Sequence, residues 1–240
     1  MVASAPNRIS ELDRWFSGKA LTADWASSHF EKWQSALSTL RELPLEILEI
    51  GSWEGRSAIF WLNYFPHSHL TCIDTFAGSR EQFDIGHSAD GVEKRFDANL
   101  ASFGNRVEKI RARSATGLAN LAERQRRFDL IYIDGSHRRD DVLVDSLLAW
   151  PLLMHSGHII WDDYTWGVGD RGVSERPQQA IDVFCYLHSG EIKIVSAGNQ
   201  IIGRREAADR PQLGIRFSRT PRNLWRFLSC KPLMKPTAFS

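Results

Sequence analysis

The sequence predicts an α/β fold, a three-layer sandwich around a seven-stranded, mostly parallel sheet that ends in an antiparallel hairpin. Short apolar runs rich in β-branched residues alternate with helical patterns, as in parallel sheets covered on both faces. Each of the first five runs is followed by enough chain for a helical crossover. The last two runs are separated only by Ala197-Gly198-Asn199, which is too short for a crossover and is typical of a hairpin.

The predicted elements follow from these patterns in chain order. Strands are expected at Leu45–Ile50, His69–Asp74, Arg106–Ile110, Phe128–Asp134, Gly157–Asp162, Glu191–Ser196 and Gln200–Arg204. Helices are expected at Gly55–Tyr64, Gly91–Ser102, Ala115–Arg124, Asp140–Leu153 and Arg176–Leu187. This order is not that of a six-stranded dinucleotide-binding fold.

The segment before the first strand, Ile9–Leu40, is predicted to be helical. It carries a stripe of aromatic side chains that is usually part of a core or its cover. These are Trp15, Phe16, Trp25, Phe30 and Trp33. We therefore expect an N-terminal helical cover over residues 1–43, a central domain over residues 44–204 and a C-terminal extension over residues 205–240.

Two long connections, Phe76–Asp90 and Tyr164–Glu175, follow the predicted second and fifth strands. Open α/β sheets bind ligands at the carboxyl ends of their strands. Long loops at that edge are more often lids than spacers. Both connections are therefore expected to lie beside a ligand site.

Bulk properties indicate an ordinary globular protein of 240 residues. The three cysteines, Cys72, Cys185 and Cys230, are far apart and form neither a metal motif nor a disulfide framework, which favours a reducing compartment. The first ten residues lack the apolar region of a signal peptide, and no run approaches about 20 apolar residues. A cytoplasmic location without a transmembrane segment is therefore expected.

Charge is unevenly distributed along the chain. From Arg204 to Ser240 there are nine Lys or Arg residues against Glu206 and Asp209, a net charge of +7, so the preceding residues carry −6. The acidic body would repel phosphates, which argues against nucleic acid as a partner. A docked helix, a disordered terminus, a partner surface and a membrane contact all remain open for the basic tail.

A glycine loop, Gly51-Ser52-Trp53-Glu54-Gly55, connects the first predicted strand to the following helix. Glycines allow a tight turn and a close approach of the backbone to a ligand, and the helix amino terminus offers free N–H groups. The spacing is G-x-x-x-G, whereas a nicotinamide site has G-x-G-x-x-G. On its own, such a loop is often only structural.

The residues around the loop suit an amino-acid moiety. Glu49 precedes the loop and can attract an ammonium group, and Ser57 can hydrogen-bond a carboxylate beside the helix dipole. A pyrophosphate would be repelled by Glu49. Asp74 ends the second predicted strand and can accept both hydroxyls of a ribose, and Ser114 follows the third. Each acid alone is equally explained as a solvated strand end.

Three further carboxylates, Asp134, Asp162 and Asp163, end the fourth and fifth predicted strands. Neighbouring strands lie about 4.8 Å apart, so these groups can converge at one edge of the sheet. Three hard oxygen ligands suit Mg²⁺ or another divalent cation. The alternative is that Asp163 points into solvent and Asp134 only faces a cofactor.

Four stretches in this order resemble the class I S-adenosylmethionine-dependent methyltransferases, which have a Rossmann-like fold. They are ILEIGSWEGRSA, LTCIDTFAG, RARSATGL and FDLIYIDGSHRRDDV…SGHIIWDDYTW, and the resemblance covers Pro44 to Arg204. It is greatest to the branch containing catechol O-methyltransferase and the sugar and antibiotic-tailoring enzymes. The resemblance implies O-methylation of a hydroxyl on a small molecule or sugar, assisted by a divalent cation.

The resemblance also implies roles for particular residues. Ser114 would contact the adenine of S-adenosylmethionine, and the pattern Asp134…Asp162-Asp163 matches one form of the family's metal ligands. His137 stands where catechol-type relatives carry a lysine base, and a histidine can take a proton near neutral pH. The residues expected at the cofactor are Glu49, Gly51, Ser52, Trp53, Gly55, Ser57, Asp74, Thr75, Ser114 and Asp134.

Two other classes of function stay open at this stage. A nicotinamide-dependent dehydrogenase also ends its second strand with an acid, but it has the other glycine spacing and does not need Asp162-Asp163. A non-catalytic cofactor-binding module that interacts through its basic tail needs only the loop. The identity of the hydroxyl acceptor and the presence of a homo-oligomer do not follow from the sequence.

Overall fold

The computed structural model describes residues 11–78, 86–169 and 171–206. The strands in these residues are β1 (Glu46–Ile50), β2 (His69–Asp74), β3 (Val107–Arg111), β4 (Phe128–Ile133), β5 (Leu153–Trp161), β6 (Ile192–Ala197) and β7 (Ile201–Arg205). The α-helices are α1 (Glu11–Phe16), α2 (Phe30–Leu37), α3 (Arg56–Tyr64), α4 (Val92–Leu100), α5 (Ser114–Glu123), α6 (Arg139–Ala149) and α7 (Pro177–Leu187). Short 3-10 turns occur at Ser27–His29, Ser38–Leu40, Ala101–Arg106, Trp150–Leu152 and Val173–Glu175.

The strands form one seven-stranded sheet in the order β3-β2-β1-β4-β5-β7-β6. Strands β1 to β5 pair in parallel, and β7 is antiparallel to both β5 and β6. The predicted fold and its terminal hairpin are confirmed. The strand order reverses between β1 and β4, which is the switch point where open α/β sheets bind ligands.

Hydrophobic cores lie on both faces of the sheet, because successive side chains of a strand point in opposite directions. In β1, Ile47 belongs to the core formed with the N-terminal segment, α3 and α4, and Leu48 belongs to the core formed with α5, α6 and α7. Both side chains are fully buried. This arrangement is the three-layer sandwich that the sequence predicts.

Most predicted element bounds agree with the structure to within two residues. The largest difference on the sheet is β5, which begins at Leu153, four residues before the predicted start at Gly157. The preceding helix α6 ends at Ala149, and a 3-10 turn with Pro151 near its start separates it from the strand. Proline cannot donate a backbone hydrogen bond to a continuing helix.

The prediction of a helix throughout Ile9–Leu40 is wrong, because residues 17–26 form no helix. Gly18 has a φ of +71°, outside the helical range. The backbone N–H groups of Ala20 and Thr22 donate to the side chains of Asn99 and Glu54, at 2.7 and 2.5 Å. Tertiary hydrogen bonds therefore replace the helical ones in this segment.

Some sequence predictions concern residues outside the described ranges. They are the start of the N-terminal helix at Ile9, part of the connection Phe76–Asp90, and the basic tail from residue 207 to Ser240. Among the residues that are described, no helix is both long enough and apolar enough to cross a membrane.

Candidate functional site

A cavity of about 890 Å³ opens at the carboxyl ends of the parallel strands. One part, here called the loop end, is lined by Asp74, Ser114 and all residues of the loop Gly51–Ser57 except Gly55. The other part, the acidic end, is lined by Asp134, His137, Asp162 and Asp163. The fold thus brings residues from five separate strand ends to one cavity.

At the loop end, the backbone requires glycine at position 51. Gly51 has a φ of +84°, and a Cβ atom placed there would lie 2.1 Å from the carbonyl oxygen of Asp134. Its own N–H donates to the carbonyl of Ile73 at 2.9 Å. Gly51 therefore lets the loop pass directly against the end of β4. Gly55, with a φ of +86°, caps the start of α3.

Asp74 holds the glycine loop in place. Its Oδ2 atom accepts the backbone N–H groups of Ser52 and Trp53 at 2.7 and 2.8 Å, and its Oδ1 atom accepts that of Phe76 at 2.6 Å. Hydrogen bonds to a carboxylate are stronger than those between neutral groups. The carboxylate that the sequence assigns to a ribose thus also organises the loop beside it. The neighbouring Thr75 lines the cavity.

Glu49 lies beneath the loop and is completely buried. Its Oε2 atom accepts the Ser52 hydroxyl at 2.8 Å and the Cys72 thiol at 3.5 Å. Burial raises its pKa to about 7, against the lowering effect of hydrogen bonds from Ser57, Ser52 and Cys72. Its Oε1 atom accepts no well-aligned hydrogen bond from the described residues.

The position of Glu49 modifies the sequence prediction. Glu49 and Gly55 are not among the described residues that line the cavity, whereas Ser52 and Ser57 are. A ligand in the cavity therefore meets the two serines before it meets the carboxylate. Direct contact between Glu49 and an ammonium group stays a prediction.

Ser114, the first residue of α5, has a partner that sequence reasoning missed. Its hydroxyl hydrogen-bonds Asp145 of α6, a buried residue that also lines the cavity. Burial raises the pKa of Asp145 to about 6, the nearby Asp141 raises it further, and Ser114 lowers it. The available signal was its place on the buried face of α6, with Val142, Ser146 and Ala149.

At the acidic end, Asp134, His137 and Asp163 come together. Their potential ligand atoms all lie within 4.8 Å of one another. His137 Nε2 is 2.8 Å from Asp163 Oδ2, and the His137 ring lies 4.5 Å from that of Trp166. Asp163 has a φ of +57°, which is uncommon for a residue with a side chain.

Asp162, the third predicted ligand, lies beside this group and is held by other protein atoms. Its Oδ2 atom accepts the Tyr132 hydroxyl at 2.6 Å, and its Oδ1 atom accepts the Gln200 amide at 2.6 Å and the Asp163 backbone N–H at 2.9 Å. The Tyr132 oxygen is also 3.0 Å from Asp134 Oδ2. Tyr132 therefore connects the two carboxylates.

Mutual repulsion and burial dominate the electrostatics of the acidic end. Burial raises the pKa of Asp134 well above its usual value, and the charges of Asp162 and Asp163 raise it further. Burial and Asp163 likewise raise the pKa of Asp162. A divalent cation would remove this repulsion, and clustered carboxylate oxygens are the donors that Mg²⁺ prefers. The residues present therefore fit such an ion.

The N-terminal segment covers part of the cavity, and a buried acid fixes it there. Glu54, only 1% exposed, accepts the Thr22 hydroxyl at 2.7 Å and the Arg95 guanidinium at 2.5 Å, in addition to the Thr22 N–H. Residues from this segment that line the cavity are Leu21, Ala23, Trp25, Ala26 and His29. The Nε2 atom of His29 lies 3.9 Å from Asp162 Oδ1. Sequence reasoning missed His29, whose short local context carries no signal.

Residues 48–164 match a family model described as a methyltransferase domain. This domain includes the glycine loop and the carboxylates of the acidic end. The chain carries a methyltransferase domain. The methyltransferase domain that the sequence motifs predict is therefore confirmed for these residues, and the match does not support the dehydrogenase alternative.

Solved structures similar to this chain include MycE from the mycinamycin biosynthetic pathway, in complex with Mg and SAH. It is 18% identical with a TM-score of 0.58, over 93% of this chain and 61% of MycE. An O-methyltransferase from Bacillus cereus in complex with SAH is 19% identical with a TM-score of 0.57, over 78% and 84% of the two chains. The chain thus spans about three fifths of the length of MycE.

A third similar structure is CalS11, a TDP-rhamnose 3'-O-methyltransferase of calicheamicin biosynthesis. It is 16% identical with a TM-score of 0.51, over 74% of this chain and 78% of CalS11. At these identities the likeness is one of fold. No curated protein has a significantly similar sequence.

Proposed function

We propose that this methyltransferase transfers the methyl group of S-adenosylmethionine to a hydroxyl of a small molecule or sugar, with the help of a divalent cation. One observation carries the proposal: the loop end and the acidic end line the same cavity. A methyl donor and an oxygen nucleophile must meet within bonding reach, and a shared cavity allows this.

The loop end would hold the donor. Ser52 and Ser57 offer hydroxyls backed by Glu49, and the start of α3 offers backbone N–H groups to a carboxylate. Asp74 would accept the ribose hydroxyls, and Ser114 would contact the adenine. MycE and the Bacillus cereus enzyme were both solved with SAH, the product of methyl donation.

The acidic end would hold the cation through Asp134, Asp162 and Asp163. When bound, a divalent cation orients an acceptor hydroxyl and lowers its pKa. Asp162 enters this role already fixed by Tyr132 and Gln200, whereas Asp163 is paired with His137. MycE was solved with Mg.

His137 would take the proton of the acceptor hydroxyl. Its imidazole is held between Asp163, at 2.8 Å, and the ring of Trp166. A carboxylate partner orients an imidazole and stabilises its protonated form, which a general base requires. His137 also belongs to the group of three that can bind a metal, so base and ligand are the two roles to be separated.

The wider context is proposed on the same basis. We infer a cytoplasmic protein whose residues 1–43 form the cover, 44–204 the methyltransferase domain and 205–240 a basic extension. Its partner is a small-molecule hydroxyl acceptor and not a nucleic acid. MycE was also solved with mycinamycin VI, and CalS11 is by name a TDP-rhamnose 3'-O-methyltransferase, which supports a small molecule or sugar as the acceptor.

Calorimetry with S-adenosylhomocysteine and with NAD, each with and without Mg²⁺, tests the donor site. We expect S-adenosylhomocysteine to bind and NAD not to bind. Preferential binding of NAD would refute the donor assignment. Methyl transfer to a panel of sugar nucleotides and phenols, with and without a chelator, then tests the acceptor and the cation. Turnover that survives chelation would refute the cation role.

Two substitutions distinguish the roles of Asp162 and His137. Asp162→Asn should abolish the Mg²⁺ dependence of turnover. His137→Ala should remove the neutral-pH step from the pH–rate profile while leaving S-adenosylhomocysteine binding intact. An unchanged profile would show that His137 is not the base, and lost Mg²⁺ binding in this variant would make it a ligand.

A further inference from the structure

We propose that Gln200 is a positioning residue for Asp162, and that Trp33 of helix α2 sets the orientation of Gln200. Neither residue lies in the four motifs or among the predicted site residues. The proposal rests on the proposed function in one respect, because it takes Asp134, Asp162 and Asp163 as a divalent-cation site.

Gln200 is completely buried, at the end of the hairpin turn that leads into β7. Its Nε2 atom is 2.6 Å from Asp162 Oδ1, and its Oε1 atom is 2.8 Å from the indole Nε1 of Trp33. Its backbone carbonyl accepts Lys32 Nζ at 3.0 Å. The glutamine thus connects α2 directly to the acidic end.

The chemistry of the two partners fixes the orientation of the amide. An indole N–H can only donate, so the amide oxygen must face Trp33. The amide NH₂ group must then face Asp162, where a carboxylate oxygen accepts it. The reverse orientation would oppose two donors on one side and two acceptors on the other. Trp33 therefore determines that Gln200 donates to Asp162.

This donation to Oδ1, together with that of the Tyr132 hydroxyl to Oδ2, holds the Asp162 carboxylate in one orientation. Without Gln200, the Oδ1 atom would keep only the Asp163 backbone N–H and the more distant His29. Hydrogen-bond partners of metal ligands typically change metal affinity about 10- to 100-fold.

Trp33 itself belongs to the hydrophobic core and not to the described lining of the cavity. Its ring stacks on Trp61 at 4.3 Å and meets Tyr132 edge-on at 5.3 Å. Trp33→Phe removes the N–H and part of the ring but keeps an aromatic side chain in the core. Because Tyr132 also donates to Asp162, only an effect that disappears when Gln200 is replaced can be assigned to the path through Gln200.

The test is titration of Mg²⁺ into the full chain by calorimetry, for Gln200→Leu, Trp33→Phe and the double variant. Gln200→Leu should weaken Mg²⁺ binding about 10- to 100-fold, and Trp33→Phe by a smaller factor. In the Gln200→Leu background, Trp33→Phe should have no further effect, because the interaction it acts through is already gone.

Ser68→Ala is the matched control. Ser68 is also completely buried and hydrogen-bonded, to Leu45 and Leu43, but it precedes β2 at the opposite edge of the sheet. Its loss should lower the midpoint of thermal unfolding and leave Mg²⁺ affinity unchanged.

Four results would overturn the proposal. Wild-type Mg²⁺ affinity in folded Gln200→Leu overturns the role of Gln200, and equal losses from Trp33→Phe in both backgrounds overturn that of Trp33. Should Gln200→Leu fail to fold, unchanged affinity in Trp33→Phe alone refutes the connection. A wild-type chain that binds no Mg²⁺ removes the cation from the proposed function as well.

Discussion

The two ends of the cavity satisfy their charged groups in different ways. At the loop end, Asp74 accepts three backbone N–H groups and Glu49 accepts a hydroxyl and a thiol, all from the protein. At the acidic end, Asp134 and Asp162 face each other and Asp163, and repulsion adds to burial in raising their pKa values. The loop end is thus built to hold its shape by itself, whereas the acidic end gains from a counter-charge.

The largest expected effect comes from a substitution at the point where the glycine loop contacts the end of β4. In Gly51→Ala, the new Cβ atom would meet the backbone of Asp134 at 2.1 Å. We expect a loss of about 4 kcal/mol or more in the free energy of unfolding, measured by urea denaturation, because backbone atoms cannot yield as side chains do.

Gly18→Ala is the control for this variant. Gly18 also has a positive φ, +71°, but a Cβ atom there meets nothing within 4 Å. Its substitution should cost about 1 kcal/mol from backbone strain alone. Similar losses in the two variants would contradict the close approach of the loop to β4.

The pH dependence of stability should reveal the buried acid of the loop end. The pKa of Glu49 is raised from 4.5 to about 7 in the folded chain, so between these values the folded state binds more protons than the unfolded one. Stability due to this group is therefore present below pH 4.5 and is lost as the pH rises to about 7, by about 3 kcal/mol.

Glu49→Gln should remove that loss. Urea denaturation from pH 4.5 to 8 should show wild type losing stability relative to Glu49→Gln up to about pH 7, with a constant difference above it. Parallel curves across the whole range would show that burial does not raise the pKa of Glu49.

Asp74→Asn should weaken the loop end. The amide keeps one oxygen for the three backbone N–H groups that the carboxylate accepts, and it presents an NH₂ group to at least one of them. We expect the free energy of unfolding to fall by about 2 kcal/mol, and S-adenosylhomocysteine binding to weaken with it. Unchanged stability would refute the role of Asp74 in holding the loop.

Asp134→Asn should have a smaller effect of the opposite sign. It removes one of three repelling carboxylates, so we expect the chain without a divalent cation to gain about 1 kcal/mol of stability at pH 8. Thermal unfolding with and without Mg²⁺ checks this, because Mg²⁺ should stabilise wild type and not the variant. A loss of stability without Mg²⁺ would contradict the difference between the two ends.

The features that the sequence predicted correctly are those that depend on residues adjacent in the chain. The ends of β1, β2 and β4 follow from apolar runs that stop at an acid or glycine, so Asp74 and Asp134 were found with their places in the fold. The cavity itself follows from the strand order, because parallel strands bring their carboxyl ends to one edge.

Contacts between distant residues could not be predicted in this way. Gln200 meets Trp33 across 167 positions, and Thr22 meets Glu54 across 32. The second contact also explains the wrong helix prediction, since periodicity does not reveal that an N–H donates to a distant carboxylate. For Asp162 and His137, residue type predicted proximity to the acidic end but not which one lies within the group of three.

Three tryptophan side chains at the cavity are natural spectroscopic probes of its two ends. Trp25 and Trp53 lie 5.7 Å apart at the loop end, and Trp166 lies against His137 at the acidic end. Coupled rings such as the first two produce near-ultraviolet circular dichroism, and an imidazole quenches the emission of a neighbouring indole more strongly when it is protonated. Occupancy of the two ends can therefore be followed by two different spectroscopic signals, without attaching a dye.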